Sequence, residues 1–459
     1  MDIAKPVRAA WRSPGAYLAL ALLLIPYLYL YLAEYSRLLS QLPPGDDFPI
    51  HVYAALLARE NPALLVLSPG QYPGIPHLLG LLSGDPLVLG RIFGVYTALL
   101  VPVGIALYGL YFASMGADRR VALLASSLLV LGSVRTLAGL LDGQLADKTV
   151  LLVLVPLGLY LYARGRELLA LAVLALSLFV NYLGFAYASL LALLMAAFGS
   201  RRAKLALLAA APFVAALAFH KLGVVVSLAS QWQKWEGAPP FVISATWLPA
   251  YAFYGPSGYV LPVVAAYMFA RARRARPPLL AALVIFVIAL TSPTYGERLM
   301  RVAALLLPAA VVAAGFELRR WALPALALYL AGPAAAGWLW AAGFWHGGLF
   351  AYVDRALPGQ LEAYLVYLSS LPEKATVGVR WSLDMWFLPL AQAYRPDLQV
   401  LVWDCRWDAA DFYVFTPPDP RQWYMDCIRN ATAPPGRLIA VINGVGLYEG
   451  QSIVETPLS

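Results

Sequence analysis

Charged residues are scarce in this sequence. Asp, Glu, Lys and Arg together make up 13% of the 459 residues, whereas hydrophobic residues make up 61% and the mean hydropathy is +0.70. A soluble domain averages about 25% charged and about 45–50% apolar residues. The composition therefore excludes an ordinary soluble globular domain and indicates an integral membrane protein.

Several chemical signatures are also missing. The chain has only two cysteines and four histidines, and their spacing does not match a zinc site. It has no Walker loop, and no glycine-rich dinucleotide turn follows a strand in the membrane region. We find no internal repeat, and the apolar runs carry almost no ionisable residues at their centres. Secondary transporters usually show inverted repeats and charged residues near mid-membrane, so the absence of both disfavours a transporter.

The positive charge is placed at the ends of apolar runs. The formal net charge is +8, but most arginines fall at alternate breaks between these runs, so we expect no nucleic-acid partner. Cytoplasmic loops of membrane proteins carry the excess Lys and Arg. This rule predicts a protein of the cell membrane whose N-terminus lies in the cytoplasm. The clusters are Arg119-Arg120, Arg164/Arg166, Arg201-Arg202/Lys204, Arg271/Arg273/Arg274/Arg276 and Arg319-Arg320.

The apolar runs predict an all-α polytopic membrane protein with about eleven transmembrane helices, since each span needs about 20 apolar residues. The stretch 167–199 is too long for one span, and Asn181-Tyr182 offers a turn, so we divide it there. The predicted spans lie near 16–33, 87–113, 121–139, 149–163, 167–180, 183–199, 205–220, 256–270, 279–292, 302–317 and 321–341.

Two domains are expected: a transmembrane domain at 1–344 and an extracytoplasmic α/β domain at 345–459. The first has long outer loops at 34–86 and 221–255, and the earlier loop contains two helical stretches, His51–Arg59 and Ile75–Leu82. In the second, apolar runs alternate with helical patterns. Its expected elements are helix 359–371, strand 375–380, helix 383–394, strand 398–403, strand 411–416, helix 420–429 and strand 437–443.

The first outer loop places two carboxylates and an imidazole close together, at Asp46, Asp47 and His51. A carboxylate at the membrane surface can act as a general base toward a hydroxyl or amide acceptor. Alternatively, the pair can hold a divalent cation such as Mg²⁺ or Mn²⁺, with Asp47 as a ligand, to neutralise a phosphate leaving group. A solvated loop in which Asp46 caps the next helix is the structural alternative.

The same loop continues with Tyr72-Pro73-Gly74-Ile75-Pro76-His77. This order resembles the C superfamily of membrane glycosyltransferases (GT-C), which includes protein O-mannosyltransferases and arabinosyltransferases. Many prokaryotic members carry a similar Tyr-Pro-Pro-Gly stretch followed by a histidine. The resemblance implies a polyprenyl-phosphate-linked sugar donor, a catalytic acidic residue in the first outer loop, and substrate contacts from Tyr72 and His77. We expect His51 to contact the substrate as well.

Two further outer turns carry candidate residues. Arg298 and Arg301 stand one helical turn apart at the mouth of a span, and a guanidinium group can bond two phosphate oxygens at once. We expect them to bind the lipid phosphate together with Glu297, although a Glu–Arg pair is the alternative. The resemblance also implies an acidic helper on the second turn, at Asp142, whereas Asp147 there is expected to cap the following span.

The cysteines Cys405 and Cys427 both fall in the domain that we place outside the membrane. A disulfide between them is expected in that compartment, with two separate thiols as the alternative.

The sequence therefore predicts an inverting membrane glycosyltransferase with Asp46 or Asp47 as the base. Its partners would be the lipid-linked donor, membrane lipids and a glycan, lipid or protein acceptor. A lipid or solute transporter and a non-catalytic scaffold are the alternatives.

Overall fold

The computed structural model describes residues 13–40, 42, 48–67, 74–133, 145–232, 257–291, 296–343, 360–380, 383–403, 407, 409–418 and 432–450. For some helical positions, among them Glu297, Arg298 and Arg301, only the backbone is described. The structure is 72% helical, with a small sheet near the C-terminus.

The first half of the helical region contains the following elements. The helices are α1 (Pro14–Ala21), α2 (Ile25–Ser40), α3 (Phe48–Glu60), α4 (Leu64–Leu67), α5 (Pro86–Ser114), α6 (Arg119–Leu131), α7 (Leu145–Thr149) and α8 (Val155–Ala163). A 3₁₀ turn at Leu22–Leu24 joins α1 to α2, a 3₁₀ helix spans Ile75–Leu82, and a π-helix at Val150–Leu154 joins α7 to α8.

The second half continues with α9 (Glu167–Ala175), a 3₁₀ turn (Leu176–Phe179), α10 (Tyr182–Phe198), α11 (Arg201–Trp232), α12 (Ser257–Phe269), α13 (Arg276–Thr291), α14 (Gly296–Glu317) and α15 (Ala322–Ala341). The predicted break at Asn181 is confirmed. Asn181 is the N-cap residue of α10, and its side-chain oxygen accepts a hydrogen bond from the Gly184 N–H at 2.8 Å.

Four helical segments in the described part of the chain are long and apolar enough to cross a membrane: Pro14–Ala33, Pro86–Ser114, Ala146–Ala163 and Ala322–Leu339. Five more apolar helices are shorter than 18 residues. The protein is thus a membrane protein by composition and helix length, while the number of eleven spans stays a prediction. The shorter helices arise partly because breaks such as the one before Asn181 divide the apolar runs.

Small residues let the helices approach closely. A methyl group on Gly184 would lie 2.6 Å from Val150 Cγ2, and one on Gly337 would lie 2.7 Å from Tyr27 Cε2. Membrane helices associate through such close contacts because the lipid provides no hydrophobic force between them. Phe213 and Phe219 of α11 instead expose most of their side chains, as expected for rings that face lipid.

One end of the bundle, the arginine-rich end, is formed by the turns at 115–118, 164–166, 199–200, 270–275 and 318–321. Glu317 accepts hydrogen bonds from the backbone N–H groups of Arg274 at 3.0 Å and Ala275 at 3.1 Å. The Arg274 guanidinium donates to the Ser114 carbonyl at 3.1 Å, so three of these turns meet. Glu167 bonds Ser200 in the same way and joins the other two.

The C-terminal domain contains α16 (Leu361–Ser370), β1 (Thr376–Arg380), α17 (Phe387–Tyr394), β2 (Gln399–Trp403), β3 (Phe412–Phe415), β4 (Gly436–Ile442) and β5 (Val445–Gly450). The sheet order is β2-β1-β3-β5-β4. β1 pairs in parallel with β2 and β3, and β5 runs antiparallel to β3 and β4. Val377, Val379 and Val414 form its buried centre against Tyr364 and Phe387.

The four predicted strands and the two helices that flank β1 are confirmed within a few residues, which establishes the small α/β region. The strand β5 was missed, although the Asn443-Gly444 turn before it is a strong hairpin signal. Both turn residues have positive φ, 49° and 80°, as such a turn requires. The predicted helix 420–429 lies outside the described residues, as do Cys405 and Cys427.

Candidate active site

The segment predicted as the first outer loop folds onto the bundle as a helical pair. α3 buries Phe48, Val52, Ala55 and Leu56, and the 3₁₀ helix at Ile75–Leu82 packs across it. Gly80 sits so close to α3 that a methyl group there would overlap the Ala55 carbonyl oxygen and lie 2.6 Å from its carbon. A side chain at position 80 would therefore force the two helices apart.

Two histidines join this helical pair in its interior. His51 on α3 and His77 on the 3₁₀ helix are both 0% exposed, and the distance from His51 Nδ1 to His77 Nε2 is 3.0 Å. The rings stack with centroids 5.2 Å apart, and Phe93 of α5 packs against both. The pair thus connects both halves of the loop to α5.

The proton positions follow from the neighbouring backbone. The Gly74 N–H donates to His77 Nδ1 at 2.7 Å, so we assign the His77 proton to Nε2, from which it is donated to His51. Burial lowers the pKa of His77 to about 4, although the nearby Gly74 carbonyl opposes that change. His77 therefore stays neutral at physiological pH, and its geometry suits a fixed hydrogen bond better than proton uptake.

The start of α5 carries the next polar contacts. Asp85 caps this helix by accepting hydrogen bonds from Leu87 N at 2.7 Å and Val88 N at 3.3 Å. Farther along, the hydroxyl groups of Tyr96 and Thr149 lie 2.7 Å apart. This contact places the end of α7 beside α5, about one helical turn from the Phe93 ring that supports the histidines.

An acid and a base are buried at α7. Asp147 and Lys148 are 7% and 2% exposed, and the Tyr187 hydroxyl donates to Asp147 Oδ1 at 3.5 Å. The prediction that Asp147 caps the following span is wrong, because Asp147 lies within the first turn of α7, after the helix start at Leu145. Charged side chains are rarely buried to this extent, and the turn that carries these two lies beside α5 near the histidine pair.

The π-helix after α7 has a local cause. Pro156 has no N–H to donate to the Leu152 carbonyl, so the regular helical ladder fails there. The Tyr108 hydroxyl donates to the Leu151 carbonyl at 3.1 Å and satisfies one of the displaced groups. Single π turns in helices are frequent at functional sites, and this one directly follows the buried Asp147 and Lys148.

Helix direction brings the start of α14 to the same end of the bundle. α5 and α14 both finish at the arginine-rich end, where Arg274 bridges Ser114 and Glu317. Both therefore begin at the opposite end, which we call the histidine end: α3, the 3₁₀ helix at Ile75–Leu82, and the starts of α5, α7 and α14. Glu297, Arg298 and Arg301 lie in the first turns of α14.

The C-terminal domain covers the histidine end through α17. The Gln392 amide donates to Glu60 Oε1 at 3.3 Å, and the Tyr394 hydroxyl donates to Asp85 Oδ1 at 3.4 Å. Trp386, just before α17, lies against Gly90 of α5. This packing places the domain and the first outer loop on one side of the bundle.

The structure thus brings together some of the predicted residues. His51 and His77 form one buried pair, and the backbone of Glu297, Arg298 and Arg301 lies at the same end of the bundle. Substrate contact stays a prediction for all five. Asp46, Asp47, Tyr72 and Asp142 lie outside the described residues. Among the described residues, no three His, Cys, Asp or Glu side chains converge as a metal site would require.

Sequence reasoning missed Asp384, which is 0% exposed in the turn after β1. It accepts hydrogen bonds from the Tyr364 hydroxyl at 2.8 Å, the Thr416 hydroxyl at 2.6 Å and the Thr416 N–H at 3.1 Å. Burial raises its pKa to about 6, although these hydrogen bonds oppose the shift. The sequence does hold one sign of its burial, a single carboxylate between the apolar residues Leu383 and Met385, a few positions after β1.

Comparison of the chain with protein-family models, with curated proteins and with solved structures finds no match.

Proposed function

We propose that the protein is an integral membrane glycosyltransferase that takes a sugar from a polyprenyl-phosphate-linked donor. One observation carries the proposal: the buried His51–His77 pair holds α3 against α5 at the bundle end where α14 begins. Asp46 and Asp47 directly precede α3 in the sequence, and Arg298 and Arg301 lie in the first turns of α14. An acid pair adjacent to α3 in the sequence and an arginine pair at the start of α14 suit a lipid-phosphate sugar.

The chemistry would be an inverting displacement. An acceptor oxygen or nitrogen attacks the anomeric carbon, the bond from that carbon to the phosphate oxygen breaks, and the acceptor proton passes to the carboxylate of Asp46 or Asp47. Arg298 and Arg301 would stabilise the charge that develops on the departing phosphate. Any divalent cation would be held by the acid pair and would neutralise the same phosphate.

The proposed orientation follows from the charge distribution. The arginine-rich end would face the cytoplasm, and the histidine end with the C-terminal domain would face outward, in agreement with the positive-inside rule. The acceptor, whether a glycan, a lipid or a protein, would then approach beside the C-terminal domain.

The test uses the purified full-length protein, a panel of short polyprenyl-phosphate hexoses and pentoses as donors, and glycan, lipid and peptide hydroxyl or amide compounds as acceptors. Mass spectrometry measures the release of polyprenyl phosphate by wild type, Asp46→Asn and Asp47→Asn. We expect one of the two variants to lose about 10²- to 10⁴-fold in rate, the range typical of a general base. Asp118→Asn is the matched control, because Asp118 caps α6 at the arginine-rich end and asparagine caps equally well.

Two results would contradict the proposal. Full activity in both aspartate variants would remove the base assignment. No release from any donor by wild type would favour the transporter or scaffold alternatives, which require no leaving group.

A further inference from the structure

Side chains from two distant parts of the chain converge on Gly90 of α5. A methyl group on this glycine would lie 2.6 Å from Trp386 Cη2 and 2.7 Å from Leu42 Cδ2. Two atoms so close to one point also lie close to each other. Trp386 is almost fully buried, and Leu42 packs on the edge of the core, so Gly90 provides the space in which both are seated.

Leu42 and Phe48 stand on either side of the proposed acid segment. Residues 43–47, which include Asp46 and Asp47, connect them in the sequence. Phe48 is fully buried at the start of α3, which the histidine pair holds against α5. Both flanks of the segment are therefore anchored on the first part of α5, and Trp386 of the C-terminal domain contributes to the Leu42 anchor.

Trp386 is itself held firmly in place. The turn that carries it begins at Asp384, whose carboxylate binds Tyr364 of α16 and Thr416 after β3. The backbone N–H of Asp384 also donates to the Arg380 carbonyl at 3.1 Å. The turn is thereby fixed to three elements of the domain, and Trp386 projects from this frame onto α5.

The polar contacts around this point are weak by comparison. The Gln392–Glu60 and Tyr394–Asp85 hydrogen bonds are exposed and 3.3–3.4 Å long, so each contributes little to docking. Apolar packing, of Trp386 on Gly90 and of α17 on α3, therefore attaches the domain at this end of the bundle.

We infer that Trp386 is a positioning residue for the acid segment: it packs with Leu42 against Gly90 and fixes the leading flank of Asp46 and Asp47. This inference rests on the proposed function for its catalytic meaning, because it assigns the C-terminal domain a part in aligning the base. A displacement of about 1 Å at a reacting group can cost about 10²-fold in rate, so a contact outside the chemistry can control turnover.

The experiment combines hydrogen exchange with kinetics in the full-length protein, for Trp386→Ala, Trp386→Phe and Gly90→Ala. We expect Trp386→Ala and Gly90→Ala to speed exchange at least about threefold in peptides that cover Leu42 and the first turn of α3. The value of kcat should fall about 10- to 100-fold, with KM for the lipid donor unchanged. Trp386→Phe keeps an aromatic ring at Gly90 and should stay near wild type.

Gly109→Ala is the matched control on the same helix. A methyl group there would lie 3.2 Å from the rotatable Ser126 hydroxyl and 3.8–3.9 Å from backbone atoms of Leu123 and Ala122, none of them near Leu42, so exchange around Leu42 should not change. Unchanged exchange in both Trp386→Ala and Gly90→Ala would overturn the inference. Faster exchange with unchanged kcat would also overturn it, because the contact would then be structural only. If wild type released no polyprenyl phosphate while the variants showed faster hydrogen exchange, the contact would stand and the proposed function would fail.

Discussion

The two ends of the helical bundle use their ionisable residues in different ways. At the arginine-rich end, Glu317, Glu167 and Asp118 accept hydrogen bonds from backbone N–H groups at helix starts, and the arginines beside them are largely exposed. At the histidine end, His51, His77, Asp147 and Lys148 are buried. Carboxylates at the first end thus stabilise helix termini, as caps do in most helical proteins.

Burial of ionisable groups at the second end has a cost that capping does not explain. Moving a charged or polar group out of water is unfavourable unless partners compensate, so such groups accumulate where function requires them. The histidine end therefore differs from the arginine-rich end in burying its ionisable groups, whatever the membrane orientation. The C-terminal domain adds a buried carboxylate, Asp384, close to that end.

The largest effect should come from separating the helical pair at the histidine end. Gly80→Ala places a methyl group against the Ala55 backbone, which cannot move as a flexible side chain can. We expect a loss of about 3 kcal/mol or more in unfolding free energy, measured by thermal unfolding of the detergent-solubilised protein.

Gly15→Ala is the control for this change. A methyl group there would lie 3.6 Å from the Ser13 hydroxyl, which is ordinary contact. Its stability should equal or slightly exceed that of wild type, since alanine favours the helix. Equal stability of the Gly80→Ala protein would mean that α3 and the 3₁₀ helix are not held as the structure shows.

A second, smaller effect is the pH dependence of the unfolding free energy, to which Asp384 and His77 contribute with opposite signs. The pKa of Asp384 is raised from 3.8 to about 6, so the folded state binds more protons than the unfolded state and stability falls as pH rises from about 4 to 6. The pKa of His77 is lowered from 6.5 to about 4, so stability rises across nearly the same interval. Each effect amounts to about 3 kcal/mol at most, and in wild type they oppose each other.

Single variants should separate the two opposite dependences of stability on pH. Asp384→Asn removes the first contribution, so its stability relative to wild type should rise with pH, whereas that of His77→Phe should fall. Thermal midpoints at pH 4.5, 5.5 and 6.5 measure the difference. Asp397→Asn is the control: Arg395, 2.8 Å away, holds the Asp397 pKa well below its usual range, so this residue titrates below the interval. Parallel curves for all three variants would show that neither buried group titrates as described.

The elements that sequence reasoning predicted share a local signal. The short apolar runs of β1 to β4, the apolar period of α3 and the capping side chain at Asn181 all act within a few residues. Local patterns of this kind decide secondary structure, so these elements could be predicted.

The candidate site is formed by long-range contacts, which local sequence patterns do not predict. His51 and His77 were both expected in the first outer loop, yet their direct hydrogen bond follows from the packing of Gly80 on Ala55. Asp384 receives its partners from positions 20 and 32 residues away, and its apolar neighbours in the sequence do not indicate which groups it binds. Such long-range placement is decided by the assembled core.

The smallest expected effect lies at the arginine-rich end and tests the contrast directly. Glu317 uses both carboxylate oxygens, one for Arg274 N and one for Ala275 N, whereas Asp118 uses only Oδ1 for Arg120 N. Glu317→Gln keeps one accepting oxygen and turns the other into a donor that faces an N–H group, so it should cost about 1 kcal/mol of unfolding free energy. Asp118→Asn keeps the single oxygen that is used and should cost almost nothing. Neither change should alter the proposed sugar transfer, because capping at this end fixes helix starts and not the acid segment. A large loss of that activity in Glu317→Gln at unchanged stability would mean that the two ends are functionally coupled.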